Sequence, residues 1–421
     1  MLIRSLKLLL FLYLVIGSIS PLIATNAPQV VVGIDLLFQG QYDELFQGKK
    51  VALVTNHTAI NHEMLSSIDI FKKQASTKGF SLVALFGPEH GIDGAAHAEV
   101  TFSDDHDPDG IPIYSLHGKT RRPTNEMLKN VDVIFYDIQD IGSRSYTYIS
   151  TLFYVMEEAS KHRIPVVVLD RPNPINGLVI DGPMLEEAWR SFVGYINIPY
   201  CHGMTVGELA HYFNNEYQIG CKLHVIPMKG WQRRMSFQDT GLAWIPTSPH
   251  IPEQDTPRYY PMTGILGELQ IVNIGIGYTL PFKVVGAPWI NANVFAKHLN
   301  AQKFPGVHFV PFHYKPFYGR FSGQDCHGVL ITITDSKKYQ PVATQYLIIG
   351  ILKSLYPSHF RQAIAAAKDR KKMFCQVNGT EEVYHILTNE KYVVWKLQAL
   401  HRKEKELFLQ QRKKYLIPDY G

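Results

Sequence analysis

Four short apolar runs, residues 51–54, 82–86, 131–136 and 165–169, punctuate the first half of the chain. Each is nearly uninterrupted, rich in β-branched residues and bounded by polar or turn residues, the pattern of strands buried on both faces. Between them the apolar positions change to helical spacing. Met64, Ile68 and Phe71 share one face of residues 61–73, and Ile149, Leu152, Phe153 and Met156 share one face of residues 146–161. This alternation predicts right-handed α/β units on a mostly parallel sheet. Thr205-Val206-Gly207-Glu208 has the spacing of a capping box and predicts a helix through Tyr217. The proline-rich residues 245–261 break both periodicities and read as an interdomain connection. A strand at 329–334 and helices at 342–355 and 393–409 follow. The organisation expected is a leader over 1–24, a Rossmann-like domain over 28–250 and a smaller α/β domain over 255–421.

The composition agrees with a folded chain. Its 421 residues are 46% hydrophobic and 19% charged, which excludes a disordered protein, and the length suits two or three domains. Residues 1–27 hold only two charges, Arg4 and Lys7, ahead of an apolar stretch from Leu8 and small residues up to Ala24. That order of charged, apolar and small residues reads as a secretory signal peptide, with an uncleaved anchor as the alternative. The apolar run is shorter than the ~20 residues of a membrane span. The expected location is therefore periplasmic or extracellular, without stable membrane insertion once the leader is removed. A net charge of only +5, two units of it in the leader, argues against a nucleic-acid partner.

Cys201, Cys221, Cys326 and Cys375 form no CxxC pair, so zinc has no support; two disulfides and free buried thiols both remain open. No GxGxxG follows the first strand and no P-loop is present. Residues 105–110 open like a calcium loop, but position twelve is Leu116, which cannot supply a bidentate carboxylate. His57, His90 and His97 lack metal-ligand spacing. The sequence predicts neither a cofactor nor a metal.

The informative polar residues follow the strands: Asn56 and His57, then Glu89 and His90, then Asp137, Gln139, Asp140 and Arg144, then Asp170, Arg171 and Asn173. In an open parallel sheet the carboxyl ends of the strands share one edge, where ligands bind. Four strands thus deliver carboxylates, amides and guanidiniums to one rim. Asp137 is expected in a structural hydrogen bond, Asp170 and Arg171 are read as able to hold their own turn, and Glu208 serves its capping box. Tyr146, Trp231 and Tyr260 are aromatics suited to stack on sugar faces.

The segments LVTNHTAI from Leu53, LFGPEHGIDGAAHA from Leu85, YDIQDIGSRSYTYISTL from Tyr136, LDRPNPINGLVIDGPMLE from Leu169, HGMTVGELAHYFN from His202 and VGAPWI from Val285 resemble the NamZ-type exo-β-N-acetylmuramidases. The likeness runs in order from about Gly33 to the C-terminal RKKYLI. It implies a Rossmann-like domain, a smaller α/β domain and an active-site cleft between them. It also implies release of N-acetylmuramic acid from the non-reducing end of peptidoglycan fragments, with Glu89 of the GPEHG motif as the favoured catalytic residue. The chain departs from the family pattern at Ile274 and Ile276, where a glutamate and an arginine are expected, and at His250, where asparagine is expected.

Glycoside hydrolysis usually needs two carboxyl groups flanking the bond. Glu89 is the expected acid, with Asp140 or Glu268 as its partner. Asn56, His90, Gln139, Arg144, Tyr146, Arg171, Asn173 and His202 form the expected substrate-binding set. Arg144 or Arg171 is expected to read the lactyl carboxylate of muramic acid, since a guanidinium can bind it bidentately. A non-catalytic envelope protein binding muropeptides in the same cleft is the alternative reading. A hydrolase or transferase with a metal held by His90 and nearby acids is the third.

Overall fold

The computed structural model describes residues 30–94 and 104–421, so the leader and His97 lie outside the described residues. A seven-stranded sheet comprises β1 (Lys50–Thr55), β2 (Ser81–Gly87), β3 (Asp105–His106), β4 (Pro112–Ser115), β5 (Val133–Asp137), β6 (Val166–Leu169) and β7 (Leu223–Ile226). Its order is β3-β4-β2-β1-β5-β6-β7, parallel throughout except for the short edge strand β3. The four apolar runs form its centre because each packs on two faces. Ala52, Val54, Ile134, Tyr136, Val166 and Val168 join the cluster that includes the helices Tyr148–Lys161 and Val206–Glu216. Val51, Leu53, Val133, Phe135, Val167 and Leu169 face the opposite cluster, with Leu36 of Gly33–Leu37 and Phe71 of Ser67–Lys78. Alternate residues thus serve alternate layers.

The helix expected from residue 61 begins only at Ser67. Asn61 Oδ1 accepts the Glu63 and Leu65 amides, Met64 takes φ 61°, and Ser66 then caps the helix by accepting the Asp69 amide. A local side-chain turn has displaced the first helical turn. The Thr205 capping box forms as expected, with Glu208 also paired to Arg233.

The second sheet is antiparallel, with order β8-β10-β9, where β8 is Val284–Ala287, β9 Val307–Tyr314 and β10 Cys326–Ile333. Two expectations need correction. Residues 245–261 are not wholly a connection, because the helix Thr256–Glu268 starts inside them, with Pro257 in its first turn and Pro261 within it. The helical pattern at 393–409 is two helices, Val394–Ala399 and Arg402–Arg412, separated where His401 takes φ 54° and accepts the Met184 amide on Nδ1.

One apolar cluster spans both sheets, from Val54 and Phe86 to Val285 and Val329. The C-terminal tail then returns to the first sheet. Tyr420 packs edge-on against the fully buried Trp231, with ring centroids 5.0 Å apart, and donates a hydrogen bond to Asp170 at 2.7 Å. Trp231 is therefore a core residue, not a sugar platform. All four cysteines are buried free thiols.

Candidate active site

The chain leaves β1 for β2 and returns at β5, which makes β1 and β5 the place where strand order reverses and where a crevice is expected. That crevice is plugged. Thr58 Oγ1 donates to Asn56 Oδ1 at 2.6 Å and accepts the Gln139 amide at 3.0 Å, leaving a void of only about 10 Å³ near Gln139 and Arg171. The open space is displaced to one side, into a cavity of about 490 Å³ between the two sheets. The first domain lines it with Glu89, His90, Tyr146, Thr147 and Ser248, and the second with Tyr260, Glu268, Asn273, Ile274 and Arg320. An adjoining chamber of about 450 Å³ shares Glu89, Thr147, Val193 and Met373 and adds His117, Arg121 and Phe192. Glu89 stands at the junction of the two.

Glu89 reaches this position through a sharp turn at the end of β2. His90 takes φ 71° and Gly91 φ 79°, and the Gly91 amide bonds back to Pro88. Left-handed backbone at a histidine costs on the order of 1 kcal/mol and persists only where the surroundings impose it. Thr147, immediately before the helix Tyr148–Lys161, donates its hydroxyl to Glu89 Oε2 at 2.5 Å, and His117 Nε2 lies 3.8 Å from Oε1. The carboxyl is held in one orientation while still facing the cavity.

Glu268 comes from the last turn of Thr256–Glu268, eight positions after Tyr260 on the same helix. The Tyr260 hydroxyl is pushed up to about 12, first by burial; its hydrogen bond with Ser145 acts the other way, and the nearby charges of Glu268 and Glu89 raise it further. Both carboxyl groups therefore lie within electrostatic reach of one phenol. Tyr146 stands edge-on to Tyr260 with centroids 6.2 Å apart, its hydroxyl donating to Thr247 Oγ1 at 2.9 Å. Two carboxyl groups, two tyrosines and several hydroxyls on facing walls can hold a sugar and move a proton onto a departing oxygen.

Of the residues expected from sequence, the cavity gathers Glu89, His90, Tyr146, Tyr260 and Glu268. The others lie outside its lining, in the hydrogen-bonded layer beneath the rim. Asn56 turns its own loop through Thr58. Gln139 donates to the Asp140 and Pro172 carbonyls, and Asn173 to Met204. Arg171 is paired with Asp137, which also accepts the Ser67 hydroxyl, so the two side chains are engaged with each other outside the cavity lining. Asp170 accepts the Thr205 hydroxyl and the Gly207 amide. His202 is fully buried, accepts the Met204 amide, and is driven down to about 3 by burial, so it is a neutral structural imidazole. Arg144 is also fully buried; it donates to the carbonyls of Pro183 and Ile198 in its own domain and of Val377 and Asn378 at the end of the helix Lys371–Asn378. Gly379 permits this approach, since a Cβ there would lie 2.6 Å from Arg144 Nη2.

Asp140 is likewise removed from the cavity. Its Oδ2 accepts the Gly142 amide at 2.7 Å, and burial pushes the carboxyl up to about 7, against the pull of the Gly142 and Ile141 amides. Ionisation is thus penalised in the folded state. The stability associated with the proton is present below pH ~4 and is lost as pH rises through about 7. Asp140→Asn, which keeps an acceptor for Gly142 and cannot ionise, is expected to be more stable than the parent by about 2–4 kcal/mol at pH 8, with the advantage gone by about pH 4. Urea unfolding at the two pH values checks this; an equal difference at both would sink it.

Sequence reasoning passed over Thr147, His117, Arg320, Arg370 and Met373, which line the cavity or its neighbour. Thr147 had a legible signal, because it opens a helix at the strand edge. Arg320, in the loop after β9, had none, and Arg370, which ends the 3-10 helix Lys368–Arg370, belongs to a basic run over 368–372 that reads from sequence as a solvated helix face. Ile274, Ile276 and His250 also line the cavity, so the departures from the family pattern fall on its wall. Among the described residues no three His, Cys, Asp or Glu side chains gather as a metal site.

A parallel-sheet domain and a smaller domain that each present a carboxyl group to a shared cavity define a two-domain glycoside hydrolase. The chain belongs to the exo-β-N-acetylmuramidase NamZ family, whose N-terminal model matches residues 51–255 and whose C-terminal model matches 258–417. It is 40% identical over 396 residues to the peptidoglycan β-N-acetylmuramidase NamZ of Bacillus subtilis (strain 168), covering 93% of this chain and 92% of that one. Crystal structures of two DUF1343 family proteins from Bacteroides fragilis share the fold. One has a TM-score of 0.85 at 41% identity, over 92% of this chain and 99% of its own, and the other 0.71 at 27%, over 92% and 98%.

Proposed function

We propose that this protein is an exported exo-acting glycosidase that removes N-acetylmuramic acid from the non-reducing end of peptidoglycan fragments. The observation that carries the reading is the pairing of Glu89 and Glu268 across one interdomain cavity. Glu89, oriented by Thr147 and flanked by His117, gives its proton to the departing glycosidic oxygen. Glu268 on the facing wall assists the attack on the anomeric carbon, as nucleophile or as base for water. Because Glu89 sits where two chambers meet, the sugars on either side of the scissile bond occupy different chambers. The Arg4–Lys7 leader and its apolar stretch support action outside the cytoplasm.

The test uses protein recovered after export, with its N-terminus expected beyond Ala24, and treated with chelator. Incubated with muramyl-glucosamine fragments of increasing length, it should liberate free N-acetylmuramic acid from one end only. Internal cleavage would overturn the exo assignment, and absence of sugar release would favour a binding protein.

A further inference from the structure

A muramic acid glycoside brings a carboxylate into a cavity that already holds Glu89 and Glu268. Like charges at close range disfavour one another strongly, so the site needs cations directed at the ligand. The two arginines expected for this task are engaged elsewhere, Arg144 with four backbone carbonyls and Arg171 with Asp137. Among the described residues the arginines on the cavity wall are instead Arg320 and Arg370, both contributed by the second domain. Both side chains are exposed, and among the described residues neither forms an ion pair.

Their placement is built into the fold. Asn273, itself buried, donates from Nδ2 to the Arg320 carbonyl at 3.0 Å and to the Ile276 carbonyl at 2.9 Å, while its Oδ1 accepts the Gly275 amide. The loop carrying Arg320 is thereby tied to the segment carrying Ile274 and Ile276, and the guanidinium lies 4.3 Å over the centroid of the Phe321 ring. Arg370 immediately precedes the helix Lys371–Asn378, whose Met373 and Val377 line the same cavity. Arg370, Met373 and Val377 recur at helical spacing, so one face of this segment is turned to the ligand.

On the reading proposed above, we infer that Arg320 and Arg370 recognise the lactyl carboxylate and are the residues that separate muramic acid from glucosamine. Apolar Ile274 and Ile276 share the wall with Arg320, whose guanidinium forms no ion pair among the described residues and so can receive a ligand carboxylate. Arg121, poised 4.2 Å over the Phe192 ring in the adjoining chamber, is the rival cation.

The experiment is a calorimetric titration of free N-acetylmuramic acid and of N-acetylglucosamine into Glu89→Gln protein carrying Arg320→Gln, Arg370→Gln, both, or Arg121→Gln. Parallel kinetics with a nitrophenyl muramic acid glycoside use the same arginine changes in otherwise unaltered protein. The double variant is expected to lose about 10–100-fold in affinity for the muramic sugar, with little change for the glucosamine sugar. In turnover the loss should appear as a raised KM that exceeds any fall in kcat, and Arg320→Lys should restore part of it. If the preference survives the double variant, or disappears only with Arg121→Gln, the inference is overturned. Failure of the parent to hydrolyse muramic acid glycosides would instead defeat the proposed activity, and the titration would still decide the arginines.

Discussion

Replacing Glu89 by Gln is expected to cut turnover of a natural muramyl-glucosamine disaccharide by about 10²–10⁴-fold, the contribution of a well-placed general acid. A nitrophenyl glycoside should lose far less in its bond-cleavage step, because nitrophenolate departs without a proton. The Gln side chain keeps an oxygen to accept the Thr147 hydroxyl, so the turn around His90 survives and the loss is chemical. Single-turnover rates on both substrates make the comparison. Equal losses would reassign Glu89 as nucleophile, base or anchor and move the acid role to Glu268. No loss on either would show that the reacting atoms lie elsewhere.

The second large effect is expected at Arg144, through stability. Burial lowers this guanidinium to about 10, so it remains charged near neutral pH. Its hydrogen bonds run to carbonyls in both halves of the molecule, two of them at the carboxyl end of Lys371–Asn378, where a cation also meets the negative pole of the helix. Arg144→Met leaves these acceptors buried without donors and is expected to cost about 3 kcal/mol or more in denaturant unfolding. Arg144→Lys has one compact head group for four acceptors and should recover only part of that. The preference for muramic acid over glucosamine should persist in the Lys variant, since the contacts of Arg144 lie outside the cavity. A lost preference with unaltered stability would return Arg144 to the substrate.

The sheet was readable in the sequence because β1, β2, β5 and β6 are buried on both faces, which forces continuous apolar runs at fixed spacing. The same pattern told which residues reach the carboxyl edge, and so singled out Glu89, His90 and Tyr146. It could not tell which of them turn inward. Whether Arg171 meets Asp137 or a ligand depends on the register between β5 and β6, a long-range property invisible to local periodicity. The start of the helix at Ser67 was missed for the opposite reason, since a side-chain turn at Asn61 overrode an apolar pattern that suited a helix. The far wall was legible at Glu268 only through family resemblance. Arg320, in a turn between β9 and β10, and Arg370, at the end of the 3-10 helix Lys368–Arg370, acquire meaning only when the second sheet folds against the first.

The returning tail has a consequence for how the molecule is made. Asp170, just past β6, is bonded by the hydroxyl of Tyr420, some 250 residues further along the chain, and Trp231 is covered by the same ring. Arg412 adds bonds to the carbonyls of His202 and Gly203. The first domain therefore cannot complete its interior until the segment around Arg412 and Tyr420 has been made and has docked. Its final closure waits on both domains being synthesised, and until that segment docks the parallel sheet lacks the piece that seals it.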